Sequence, residues 1–208
     1  MFRSLPDLIL GGLALLPALV LHEYAHARVA VAMGDPTPRL AGRLSFNPLR
    51  HLDLIGAIML LFAGFGWARP VPINPYNFYD RRRGLLLVSL AGPLTNLVLG
   101  FAAALLYYLF SFHTRDLAGI FLSILFQYNI ALFVFNLIPI PPLDGSKVLQ
   151  SLLPGRQAYF FAQLEPYGWL ILIGVLYFGI ADVVLGPLNY GARSLVSGLA
   201  RVVAGRGF

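Results

Sequence analysis

The stretch Leu5-Pro-Asp-Leu-Ile-Leu-Gly-Gly-Leu-Ala-Leu-Leu-Pro-Ala-Leu-Val-Leu21 carries no charge after Asp7 and runs directly into His22-Glu23-Tyr24-Ala25-His26. The chain around it has the same character: 58% of its 208 residues are hydrophobic and only 12% charged. A soluble domain of this size is about half apolar and about one quarter charged. The missing charge points to hydrocarbon as the surrounding solvent. A helix needs roughly 20 apolar residues to cross a core about 30 Å thick. Besides Leu5–Leu21, which continues as helix into the histidine segment, such runs occur at Gly84–Phe110, Leu117–Ile138 and Tyr167–Leu185. Leu54–Phe65 and Val148–Leu153 are too short to cross and read as re-entrant or interfacial pieces.

The expected fold is an all-α polytopic membrane protein, one integral domain over residues 1–208 with about four full spans and short re-entrant segments. Arg43–Phe46 and Val71–Ile73, bounded by turns at Asn47-Pro48 and Asn74-Pro75, leave room for a small β-hairpin. No internal repeat is visible. A cleaved leader is not expected, because the first apolar stretch has little basic charge before it and leads straight into the most ionisable segment.

The net charge of +6 is almost wholly arginine, with Lys147 the single lysine. In a soluble protein this would invite nucleic acid. Here the expected partner is the lipid bilayer and nucleic acid is not expected, because positive charge collects in cytoplasmic loops. Eight arginines, Arg28 to Arg83, fall between the first and second long spans, and Lys147 and Arg156 between the third and fourth. Ten of fifteen positive charges therefore share one side, with Arg81–Arg83 placed in the cytoplasm. There is no cysteine, so no disulfide or thiolate metal site is available.

Four residues on a helix advance about 400°, so His22 and His26 project from nearly one face, a turn apart. Two ligands of one zinc need that geometry, and Glu23 is placed to act as general base on a water. The bland reading is a pair of interfacial histidines with a glutamate reaching for water. Against it, ionisable side chains at the end of an apolar span are costly and tend to be functional. A third ligand is then needed. Asp144 leads, because it follows a span broken by Pro139, Pro141 and Pro142, with Gly145 beside it; His51 and Asp53 are held in reserve. Irregular backbone of that kind is tolerated at membrane depth only against protein or a wet cavity.

His-Glu-x-x-His at the end of one span and Asn136-Leu-Ile-Pro-Ile-Pro-Pro-Leu-Asp-Gly145 at the end of another resemble the site-2 protease family of intramembrane zinc metalloproteases. The likeness extends to Arg43-Leu-Ser-Phe-Asn-Pro-Leu-Arg-His-Leu-Asp53, Gly66-Trp-Ala-Arg-Pro-Val-Pro-Ile-Asn-Pro75 and Ser89-Leu-Ala-Gly-Pro-Leu-Thr-Asn96. It thus runs from about residue 13 to 147. It is similar to a minimal member, without a PDZ domain between spans and without a nucleotide-sensing CBS module.

The resemblance implies one zinc per chain held by His22, His26 and Asp144, with Glu23 as the base. It places Asn96 near the site, to hold substrate or the oxyanion; an interhelical hydrogen bond is the alternative. Asn136 reads as a helix-end cap or another site residue. The implied activity is hydrolysis of peptide bonds in or near transmembrane segments of membrane-protein substrates, toward the cytoplasmic side of a bacterial or archaeal cell membrane. A metal transporter has no need of Glu23 beside His22, and an inactive helix-binding scaffold would tolerate loss of Glu23 or Asp144. Parallel first and third long spans would bring His26 and Asp144 to one leaflet. The oligomeric state is not legible.

Overall fold

The computed structural model describes residues 5–63, 66–113 and 116–206. Among them the chain folds into α1 (Leu5–Ala32), α2 (Thr37–Leu40), α3 (Leu54–Ala63), α4 (Arg81–Leu109), α5 (Leu117–Asn136), α6 (Asp144–Leu152), α7 (Gly155–Ala162), α8 (Gly168–Tyr177) and α9 (Ile180–Val203). Four stretches are long and apolar enough to cross a membrane: Ile9–Ala32, Arg81–Leu109, Leu117–Asn136 and Gly155–Tyr177, the last built from α7, a 3-10 turn and α8. The expected fourth span, Tyr167–Leu185, is therefore corrected. Its apolar run contains a turn at Gly179, whose φ of 69° suits a residue without a side chain, and α9 starts afresh beyond it.

Three helices form the core. Ala14, Ala103 and Leu125 pack together, Asn96 bridges the Ala18 carbonyl and Asn129, and His26 reaches the Val88 carbonyl. Rising numbers in α1 and α5 thus face falling numbers in α4, so α1 and α5 run in the same direction. The approach is close because the buried faces are rich in small residues: Ala14, Ala18, Ala27 and Ala30 on α1, and Gly92, Gly100, Ala103 and Ala104 on α4, with Ala14 packed on Ala103 and Gly100 against Asn129 and Ile130 of α5. Lipid tails offer no hydrophobic gain for helix association, so such close van der Waals packing has to supply it. α9 lies along α4 and α5, with Val196 packed against Ile130 and Val134 and Arg201 over the Tyr108 ring at 5.2 Å.

The segment between α1 and α4 folds back on itself. Leu52 and Ala68 form an antiparallel bridge, and the Arg69 N–H donates to the His51 carbonyl at 2.8 Å. The excursion through α3 therefore begins and ends at one level; it enters and returns. No strand forms among the described residues, which corrects the expected β-hairpin. Pro70 and Pro72 deprive one candidate strand of its ladder donors. The two pieces are tied instead by Arg43, whose guanidinium donates to the carbonyls of Arg50, Arg69 and Pro70.

Buried Asp35 pins the same segment to the end of α1. It accepts from the Asn74 N–H at 2.7 Å, the Asn77 amide at 2.8 Å and Thr37. Burial alone would raise its pKa, but these donors outweigh it and hold the carboxylate below its ordinary 3.8. Asp80 then caps α4, accepting from the Arg82 and Arg83 N–H groups.

Candidate metal centre

Helix periodicity alone puts the His22 and His26 rings side by side on α1, and both are buried. Their Nε2 atoms lie 2.9 Å apart. Asp144, the first residue of α6, enters from the opposite side after the proline-broken stretch, which contains a cis Pro141-Pro142 bond. Its Oδ2 sits 3.2 Å from His22 Nε2 and 3.3 Å from His26 Nε2. The three atoms are the sole cluster of metal-ligating type among the described residues.

The other face of each ring determines what those atoms can be. His26 Nδ1 lies 2.7 Å from the Val88 carbonyl, and His22 Nδ1 lies 2.6 Å from Asn96 Oδ1. Both partners accept, so each Nδ1 carries the proton and each neutral ring turns a lone pair inward from Nε2. Asp144 Oδ2 is likewise buried with no hydrogen-bond partner. Three acceptors thus face one another without a donor, which demands a cation. A proton would serve two of the three atoms; a metal ion serves all of them. Bonds of about 2.0 Å in a tetrahedron place ligands about 3.3 Å apart, close to the separations found here. The residues present fit a zinc-type ion.

Glu23 points beside the cluster, its Oε2 accepting the Val71 N–H at 3.2 Å. The segment holding Val71 is the one secured by Arg43. His51 is buried elsewhere, with Nε2 on the Ser45 carbonyl at 2.6 Å, and Asp53 caps α3 through the Gly56 N–H. Neither reserve residue joins the cluster. Asn136 donates back to the Leu132 carbonyl in its own helix.

Asn96 is fully buried and shared among His22, the Ala18 carbonyl and Asn129, so its side chain makes the interhelical contact rather than facing open space. Sequence reasoning missed Gly92 as a site residue. A Cβ there would lie 2.6 Å from His22 Nε2 and closer still to His26 Nε2, so only glycine lets α4 pass this close to the two inward nitrogens. The signal was present, since Gly92 sits inside the quoted Ser89–Asn96 stretch.

Comparison with known proteins agrees with this geometry. The sequence profile described as peptidase family M50 matches residues 113–176. The chain is 39% identical over 192 residues to "Putative zinc metalloprotease YwhC" of Bacillus subtilis, covering 88% of each chain. It is 34% identical over 172 residues to "Putative zinc metalloprotease Rip2" of Mycolicibacterium smegmatis, covering 77% of this chain and 64% of that one. It is 29% identical over 144 residues to "Putative zinc metalloprotease MJ0611" of Methanocaldococcus jannaschii, covering 68% and 70%. No solved structure matches the chain.

Proposed function

The chain belongs to peptidase family M50, the site-2 protease family of multi-pass membrane metalloproteases, and we propose that it cleaves peptide bonds in or near transmembrane segments of membrane-protein substrates. The observation that carries this reading is the convergence of His22 Nε2, His26 Nε2 and Asp144 Oδ2 beside Glu23. In it, His22, His26 and Asp144 hold one zinc per chain. When bound, zinc supplies Lewis acidity, polarising a carbonyl and lowering the pKa of a water toward about 7.

The chain's own residues do the rest. Glu23 takes the proton of the attacking water and delivers it to the leaving amine, and the Val71 N–H fixes the orientation of its carboxylate. The Val88 carbonyl and Asn96 hold the two rings with their Nε2 atoms inward. A helical substrate hides its peptide bonds and has to unwind, and groups freed in hydrocarbon need new partners. Residues 71–73 lie beside Glu23 and offer their remaining backbone groups for this.

The whole of residues 1–208 acts as one integral domain in a bacterial or archaeal cell membrane, with the substrate a transmembrane protein and no nucleic acid involved. In this reading the metal centre lies toward the cytoplasm, which the positive charge of Arg81–Arg83 supports.

The test is metal analysis with a cleavage assay on protein in bilayers. Wild type should carry about one zinc, His26→Ala should lose it, and Glu23→Gln should keep it while losing turnover by about 10²–10⁴-fold. Full turnover in Glu23→Gln, or stoichiometric zinc in the His22→Ala/His26→Ala double variant, would sink the assignment.

A further inference from the structure

Asn96 and Asn129 are both fully buried, neighbours on α4 and α5. An amide side chain fits either way round, so its orientation has to come from its partners. The Asn129 amide contacts the Leu125 carbonyl at 2.8 Å, one turn earlier on α5. A carbonyl only accepts, so Asn129 gives its NH2 to Leu125 and turns its oxygen toward Asn96, 2.8 Å away. Asn96 now faces two acceptors, Asn129 Oδ1 and the Ala18 carbonyl at 3.0 Å, and its NH2 must meet both. Its oxygen is left for His22 Nδ1 at 2.6 Å. Every link in this chain has one permitted direction, and backbone carbonyls of α5 and α1 set it.

We propose that Asn129 is a positioning residue of the metal centre, acting through Asn96 to hold His22 as the Nδ1–H tautomer with Nε2 turned to the metal. The proposal rests on the metal reading above. The two rings differ in how they reach the same state. His26 donates directly to one backbone carbonyl, that of Val88, and needs no helper. His22 depends on an amide, which can rotate, and Asn129 joins the Ala18 carbonyl in preventing rotation. Without Asn129, the Ala18 carbonyl alone would hold the Asn96 amide, and its NH2 would turn toward His22 more often, favouring the tautomer whose inward nitrogen carries the proton. Partners of this kind govern metal affinity by about 10–100-fold when removed.

The experiment uses full-length, zinc-loaded protein in micelles with ¹⁵N-histidine labelling, which reads four rings. In wild type, the Nδ1–H protons of His22 and His26 should both be shielded from exchange. Asn129→Leu should speed exchange of the His22 proton, leave the His26 proton unmoved, and release zinc to a chelator about tenfold faster. Asn129→Asp, buried and therefore neutral, can donate to Leu125 and accept from Asn96, and should restore both readouts. If Asn129→Leu does not fold, Asn129→Ala is read in the same way. A His22 proton unmoved in the folded variant, or His22 and His26 disturbed alike, overturns the proposal. Should the wild type bind no zinc, the proposed function fails, while the His22 proton in the zinc-free protein still judges the relay.

Discussion

The α1–α4–α5 core and the α7–α8 arm are both strongly apolar, yet they use apolar residues in opposite ways. In the core the faces that α1 and α4 bury are rich in small residues, and a third of the most apolar window of α4 is enclosed. In Gly155–Tyr177 the share is 11%, and Tyr159, Phe160, Trp169, Leu170, Ile173 and Tyr177 are exposed. Large side chains suit a surface wetted by lipid. Small ones bring backbones together, and that closeness lets polar groups pair inside a membrane. Hydrophobicity by itself therefore marks what is in the bilayer, whereas residue size marks where the chemistry sits.

The sharpest way to break this comparison is to remove one ligand on the core side and one large aromatic on the arm. Asp144→Ala should abolish zinc binding and turnover, and Tyr177→Ala should leave zinc content and turnover near wild type. Equal losses in the two would mean the arm helps to build the centre.

A gentler version adds a single methyl group. At Gly92 it would press on both imidazoles, whereas at Gly174 in α8 nothing lies within 4 Å. Gly92→Ala should displace the rings, lower zinc retention, and destabilise by about 1–3 kcal/mol as overpacking does. Gly174→Ala should change little, measured by thermal melts and zinc content in the same detergent. A neutral Gly92→Ala would show that the contact with the two Nε2 atoms is looser than described.

The same contrast explains what was legible in the sequence. The clustering of His22, His26 and Asp144, and Glu23 as a candidate beside them, could be read because ionisable residues are rare against an apolar background. The spans of α1, α4 and α5 could be read from length. Gly92, the Val88 carbonyl and Asn129 could not, because a glycine, a backbone oxygen and an asparagine acquire meaning only from what stands opposite them. The fourth span failed for a related reason: Tyr167–Leu185 is apolar throughout, and one glycine at positive φ divides it. The strands failed because Pro70 and Pro72 cannot donate to a ladder, a point visible in the sequence but outweighed there by the flanking turns.

A smaller effect concerns pH. Asp35 has a depressed pKa in the folded protein. Its stabilisation is therefore complete above the ordinary carboxylate value and is lost as pH falls through the lower folded one. Melting temperatures should drop on acidification below about pH 4 in wild type and less steeply in Asp35→Asn, which starts lower. Parallel profiles would remove Asp35 as the acid-sensitive tie. Smallest of all, Leu170→Ala on the arm should shift stability by less than about 0.5 kcal/mol, as lipid-facing surface substitutions do. Ala103→Leu in the core should cost about 1–3 kcal/mol.

The parallel course of α1 and α5, with α4 between them, also sets an order of assembly. The chain leaves the ribosome from its N-terminus, so the two imidazoles enter the bilayer long before the carboxylate exists. α4 arrives next, bringing Val88 and Asn96 to fix both rings before Asp144 joins them. On the proposed zinc reading, metal capture therefore falls late in biogenesis, after the third long helix has been threaded. A nascent chain arrested before residue 144 would hold a finished pair of histidines with nothing yet to complete their grip.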